Sequence, residues 1–355
     1  MEKEYRVIEF EDEEEYINEF LKLPKRLYSK KELMQKEDEE RQIIENRHIL
    51  SKYFKIHKFL VIDEKEKAVA RAVVTFYEND TNSYVGYYEC IEDLGVSNML
   101  LNHIERFVAF KGYKNIIGPY NCSFWLGYRF KKDNFDMPYL NEPYNKKYYP
   151  IFFEDAGYDV IEEYTSNLIS KIGKYERNEK LSKRLKEMKQ KGYEFVEPTE
   201  ETFDAQFRII GQMMLGLYKN HTGYKEIAPE ELFELYRDFS KYVDYSMIKL
   251  AYLNGELAGF YIGVPDYYNS INTKNYIKFL KNKIITKRYV LPALGVKKGE
   301  IGLGRALAEC MKSDLRGSGA TSITPIINKK RTKKDYFKEL EEKEYNYVLY
   351  GKKIN

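Results

Sequence analysis

Tryptophan, cysteine, histidine and long apolar stretches are what this 355-residue chain has least of. Its three cysteines, Cys90, Cys122 and Cys310, stand far apart with no CxxC pair, which argues against a disulfide framework and a zinc site. The four histidines, His48, His57, His103 and His221, show no ligand spacing, so no metal is expected. No apolar run approaches the ~20 residues that span a bilayer, and the N-terminal MEKEYRVIEFEDEEEY is acidic where a signal peptide is apolar. A cytoplasmic protein with no membrane partner is the expectation. Charge of one sign is lacking too: 59 Lys+Arg oppose 56 Asp+Glu, and the net +3 is too small to coat nucleic acid. Tryptophan occurs once, as Trp125 beside Phe124 and Tyr128, and reads as a core plug.

Tyrosine, by contrast, occurs 34 times, so no single tyrosine stands out as a catalyst by type alone. Hydrophobic residues make up 43% and charged residues 32%, a globular balance, and the length suggests two domains of ~150 residues. Residues 4–10 read as a strand, 13–22 and 29–53 as helical, 59–63 and 68–77 as a hairpin, and 84–91 as a strand. Residues 98–111 have apolar positions at helical spacing and end at Gly112; short strand, helix and strand patterns follow at 115–117, 149–156 and 161–171. Residues 174–191 are basic and read as a solvated linker helix. Direct nucleic-acid contact is not expected there, because no aromatics are interleaved to stack on bases.

The order then repeats. Residues 193–197 read as a strand, 201–218 and 229–241 as helices, and 246–253 with 257–264 as a hairpin around Asn254 and Gly255, the strongest short hairpin signal in the chain. Strand, helix, strand, helix and strand follow at 287–296, 303–316, 322–327, 334–343 and 345–352. A repeated order predicts one α/β fold used twice, in domains 1–173 and 193–355 joined by 174–192.

The richest segment is ALGVKKGEIGLGRALAEC, from Ala293. An apolar strand ends at Val296; Lys297, Lys298, Gly299, Gly302 and Gly304 follow, and a helix opens at Leu303. A turn of this kind presents backbone N–H groups at a helix N-terminus, where the dipole favours an anion such as a diphosphate. The order and this turn together resemble the GNAT superfamily of N-acetyltransferases, whose loop reads Gln or Arg, two residues, Gly, one residue, Gly or Ala. The Gln or Arg position holds Gly299 here, with two lysines just before it. The resemblance implies two tandem GNAT-like domains, each a mixed, mostly antiparallel twisted sheet flanked by helices, and acetyl-CoA or another acyl-CoA as cofactor. It would run along Leu294, Gly295 and Val296, with its diphosphate on the N–H groups from Gly299 to Arg305 and its pantetheine touching Asn328. Tyr336 is implied as the group that protonates the departing thiolate, with Tyr345 a weaker candidate. An N–H of Leu294 or Gly295 would serve the oxyanion, and Glu300, Glu226, Asp266 or the loop residue His221 could act as base. The stretches from Ile116 to Val160, from Leu217 to Phe239 and from Asn254 resemble a bacterial subgroup with two such domains in tandem. The acceptor would be a primary amine on a small molecule or peptide. Two alternatives stay open: a peptidyl transferase that uses aminoacyl-tRNA, and a non-catalytic metabolite-binding protein.

In the first copy the corresponding turn is IEDLGVSNMLL, from Ile91. Glu92 and Asp93 would repel a diphosphate, and Phe153 stands where the resemblance implies a tyrosine. That copy is expected to lack a cofactor site. The insert at 267–288 is basic and aromatic and reads as a cover over the sheet or a lid.

Overall fold

In the computed structural model of the chain, residues 4–169, 179–267, 287–315, 320–330 and 341–354 are described. The chain divides into two compact units, Met1–Tyr164 with Asn346–Asn355, and Thr165–Tyr345. The first run of elements is β1 (Arg6–Phe10), α1 (Glu14–Leu27), α2 (Glu37–Ile44), β2 (Phe54–Ile62), β3 (Ala68–Tyr77), β4 (Asn82–Cys90), α3 (Leu94–Phe110), β5 (Asn115–Gly118), β6 (Phe130–Lys131), α4 (Tyr149–Asp155) and β7 (Asp159–Ile169). The second is α5 (Glu179–Gln190), β8 (Glu194–Val196), α6 (Phe203–Tyr218), α7 (Pro229–Leu235), β9 (Ile248–Leu253), β10 (Glu256–Pro265), β11 (Arg288–Val296), α8 (Leu303–Leu315), β12 (Thr321–Ile323), β13 (Ile327–Asn328) and β14 (Glu341–Lys353). Strand, two helices, hairpin, strand, helix, strand is the order both times, in a mixed α/β architecture with mostly antiparallel pairing.

In the first unit the strands pair in the order β1-β2-β3-β4-β5, and residues 350–353 of β14 pair antiparallel with β5. Among the described residues of this unit only β4 and β5 run parallel, joined through α3 as a parallel pair requires. Val96, Leu100, Leu101, Ile104 and Val108 of α3 bury one stripe against Phe59, Val61, Ala70, Ala72 and Val74 on one sheet face. Each such side chain contributes about 2 kcal/mol. α1 covers β3 from the other face with Ile17, Phe20 and Leu21. The expected stop near Lys22 does not occur. α1 runs on through Pro24 to Leu27. Pro24 has no N–H for the Phe20 carbonyl, and the Arg71 Nη1 takes that carbonyl instead at 2.9 Å. Arg71 is buried and also pairs with buried Glu40 of α2 at 3.0 Å. Residues 29–53 are not one helix; α2 is short, and turns lead to a 3-10 turn at Ser51–Tyr53.

In the second unit the order is β8-β9-β10-β11-β12, with Leu168 and Ile169 of β7 on β12. β11 and β12 are the parallel pair. The β9–β10 hairpin turns at Asn254 (φ 53°) and Gly255 (φ 78°), left-handed at both positions as a tight hairpin demands. α8 buries Leu303, Ala306, Leu307, Met311 and Leu315 in the unit's core, and Met188 of α5 joins the same cluster. Among the described residues no helix is long and apolar enough to cross a membrane, and no cluster of His, Cys, Asp or Glu could hold a metal ion.

The Arg71–Glu40 pair gives a stability prediction. Arg71→Met should cost about 3–5 kcal/mol in urea unfolding, because it strands the buried Glu40 carboxylate. Arg71→Met combined with Glu40→Leu should recover most of that loss.

Candidate active site

The two parallel pairs, β4–β5 and β11–β12, have the same peculiarity. β12 follows β11 only at Arg288, Tyr289 and Val290, after which the strands part. The β10–β11 register then slips between Ile262 and Val264, a bulge that leaves Leu291 and Pro292 on β11 without a direct partner. The Lys297 N–H donates to Ala258 O at 2.9 Å, which fixes the alternation of the antiparallel ladder beyond the bulge. Lys297, Gly295 and Ala293 turn their backbone groups to β10, whereas Leu294 and Val296 turn theirs to the opposite edge. That edge meets no partner among the described residues. Of the two expected oxyanion donors, Leu294 therefore faces the edge, and Gly295 is engaged with Phe260. Gly295 has no space for a side chain: a Cβ would lie 2.4 Å from the Phe260 ring and 2.7 Å from Leu217 of α6.

The turn after β11 keeps its own N–H groups available. Gly299 (φ 99°) and Gly302 (φ 94°) take left-handed conformations that glycine adopts without strain. Ile301 N bonds Gly299 O, and Arg305 N and Ala306 N bond Gly302 O. The N–H groups of Lys298, Gly299, Gly302 and Gly304 meet no acceptor among the described residues, at the positive end of the 13-residue α8. Lys297 pairs with Glu256 at 3.0 Å. Glu300 accepts from the Tyr193 hydroxyl, which pushes that phenol up to about 12. An open groove of about 550 Å3 adjoins the turn, lined among others by Gln212, Met213 and Leu217 of α6, Leu257 of β10, and Lys297 and Lys298.

The other expected site residues scatter. Asn328 lies on β13, buried, its Oδ1 accepting from Lys330 N at 2.9 Å. His221 follows α6, its Nδ1 3.2 Å from Tyr218 O and its ring edge-on to Tyr218. Asp266 is buried against Arg288, and exposed Glu226 pairs with Lys219 at 3.3 Å. Tyr345 is buried on β14. Tyr336 and most of the 267–288 insert fall outside the described residues.

The first unit has the same bulge and a closed edge. Between Arg71 and Val73 of β3 the register slips, and Tyr87 of β4 sits at φ 47°. Here the chain itself lies along the strand. Tyr120 N donates to Val85 O at 2.8 Å, and Tyr87 N donates to the Asn121 Oδ1 at 2.7 Å. Gly86 permits this approach, since a Cβ would stand 1.9 Å from Tyr120 O. Further along, Cys90 N donates to the Tyr149 hydroxyl (2.9 Å), and the Tyr148 hydroxyl donates to Cys90 O (3.0 Å). The helix end is closed too: Asp93 caps α3, its carboxylate accepting from Val96 N at 3.1 Å. α3 begins before Gly95, so Gly95 and Ser97 lie inside the helix and form no loop. Phe153 is buried among Tyr88, Phe130, Tyr158 and Tyr350.

These two edges sit within a known framework. A tandem GNAT protein from the clavulanic acid biosynthesis pathway, without acetyl-CoA, aligns over 99% of this chain and 99% of its own at 10% identity, with a TM-score of 0.54. The fold is the GNAT fold, present twice. A GCN5-related glucosamine N-acetyltransferase region of a fungal multi-domain GH3 beta-N-acetylglucosaminidase matches 99% of this chain at 14% identity and TM-score 0.55; this chain spans 38% of that one. A GCN5-related N-acetyltransferase from Anabaena variabilis matches 97% of this chain and 72% of its own at 8% identity and TM-score 0.53. No protein-family model matches the sequence, and no curated protein is similar to it in sequence. In GNAT-fold terms, the second copy presents a splayed strand with a glycine-rich turn, and the first presents a splayed strand covered by its own chain.

Two features of this site escaped sequence reasoning. The cover formed by Tyr120 and Asn121 had no pattern of its own, although a glycine inside an aromatic strand, Gly86, is the usual mark of a close backbone approach. α5 was read as solvated, yet Leu181, Leu185 and Met188 recur at helical spacing, and Leu181 and Met188 are buried.

Glu89 of β4 lies beside the closed edge, 2.6 Å from the Tyr149 hydroxyl and opposite Arg71 in the strand pair. Burial pushes its carboxyl up to about 7, against the pull of Arg71 and Tyr149. A raised value means that the native chain keeps a proton there that the unfolded chain releases. Stability is therefore lost as the pH climbs from the ordinary carboxyl range through about 7. Glu89→Gln should raise the melting temperature relative to wild type at pH 8 and leave it nearly unchanged at pH 5. An equal difference at both pH values would contradict the assignment.

Proposed function

We propose that the chain is an acyl-CoA-dependent N-acyltransferase, acetyl-CoA being the first donor to test, with one cofactor site in its second copy. One observation carries this reading: among the described residues, the β11 edge and the α8 turn present backbone groups without partners, and the equivalent groups around β4 and α3 are taken. The donor set fits a thioester cofactor with a diphosphate. Leu294 and Val296 would pair with an amide-bearing arm, and the N–H groups of Lys298, Gly299, Gly302 and Gly304 would hold the diphosphate, with Lys297, Lys298 and Arg305 adding charge. Bound acyl-CoA supplies a thioester carbonyl for attack by an amine. The Leu294 N–H would donate to the oxygen that becomes negative. His221 is carried forward as the candidate base; its Nδ1 lies 3.2 Å from Tyr218 O, and a neutral ring donating there has its second nitrogen unprotonated. Glu300 accepts from Tyr193, and Asp266 pairs with Arg288. Tyr336 is the proposed proton donor to the thiolate. The acceptor is a primary amine of a small molecule or peptide, and the compartment is the cytoplasm.

Excess acetyl-CoA at a hundredfold over Kd should stabilise the wild type by about 2.7 kcal/mol, read as a rise in melting temperature. Gly302→Asp places a carboxylate in the turn and should abolish that rise; its own baseline falls because the φ of 94° disfavours a side chain, so the ligand-dependent difference is the readout. Gly95→Asp, in the first copy, should leave the rise intact. No rise in the wild type would sink the acyl-CoA reading and turn attention to charged tRNA.

A further inference from the structure

The turn at Gly302 has a neighbour from outside its own strand and helix. A Cβ on Gly302 would stand 2.9 Å from Cδ, 3.0 Å from Nε and 3.2 Å from Cζ of Arg184, so the guanidinium of α5 lies directly over the turn. Its place is set by packing. Leu181 and Met188 of α5 are buried, Met188 among the core residues of α8, and the Ser182 hydroxyl donates to the Glu309 carboxylate of α8 at 2.6 Å. Arg184 Nη1 pairs with Glu187 one turn along at 2.8 Å, both side chains about one-third exposed (32% and 35%).

The electrostatics of this position are adverse in isolation. A helix N-terminus favours anions and disfavours cations, and Arg184, Lys297, Lys298 and Arg305 all gather near this one. Lys297 and Arg184 each have one carboxylate partner, Glu256 and Glu187, and Glu300 accepts from Tyr193. A diphosphate would satisfy the N–H groups and add negative charge where these cations gather. Arginine suits that role, because its planar fork presents several donors to phosphate oxygens at once.

We propose that Arg184 is a ligand of the cofactor diphosphate, supplied by α5 to the turn of the second copy. The inference rests on the acyl-CoA reading above, and the two can fail separately. The test compares acetyl-CoA with S-acetylpantetheine, which keeps the thioester arm and lacks the diphosphate. Calorimetric Kd values would be measured for the full-length wild type, Arg184→Ala, and Arg184→Gln, which keeps most of the stem's packing. Both variants should bind acetyl-CoA about ten- to a hundredfold more weakly, as loss of a charged hydrogen bond implies, and bind S-acetylpantetheine as the wild type does. Unchanged or tighter acetyl-CoA binding in the variants would overturn the inference, the latter by making Arg184 a cover over the turn. Equal loss for both ligands would also overturn it, as a structural effect of α5. A wild type that binds neither ligand would refute the acyl-CoA reading itself.

Discussion

A strand that parts from its neighbour exposes a row of backbone N–H and C=O groups, and those groups have to be satisfied by something. Both copies of the fold contain such a strand, and both make it with a bulge. In the first copy the chain supplies the partners itself: the Tyr120 backbone, the Asn121 side chain and the hydroxyls of Tyr148 and Tyr149. In the second, the backbone groups of Leu294 and Val296 on that edge meet no partner among the described residues. Under the proposed function, the difference between a supporting copy and a binding copy comes down to who completes this edge.

The helix that follows repeats the choice. Asp93 puts a carboxylate of the chain on the N-terminus of α3, which satisfies the donors that an external anion would need. α8 opens instead from a glycine-containing turn, where Gly299 and Gly302 permit a backbone path that places N–H groups outward. The acidic Glu92 and Asp93 do more than repel an anion, because one of them occupies its place. Strand edge and helix end thus change together, and each makes the other's state consistent.

Much of this arrangement was legible in the sequence. The repeated element order, the Asn254 and Gly255 hairpin and the strand–turn–helix at Gly299 to Leu303 rest on local patterns of period and turn chemistry; the structure carries the hairpin, the turn and the order as far as β12, while most of the helix expected at 334–343 lies outside the described residues and 341–343 belong to β14. What local pattern misses is contact between distant segments. α1 passes Pro24 because a buried arginine from β3 takes the stranded Phe20 carbonyl, which no spacing within the helix reveals. The cover over β4 comes from residues some thirty positions away. α5 looked solvated by its charge, and only its three apolar positions hinted that it packs on α8. Arg184 was counted among many basic residues; its position over Gly302 is a tertiary fact.

The central claim is that one copy binds and the other does not. A crystal structure of the full chain grown with acetyl-CoA tests it most directly. The account predicts ligand density along Leu294 and Val296 that ends on the turn at Gly299 and Gly302, and an unaltered Tyr120 and Asn121 against β4. Density along Val85 to Cys90, with Tyr120 and Asn121 displaced, would contradict it.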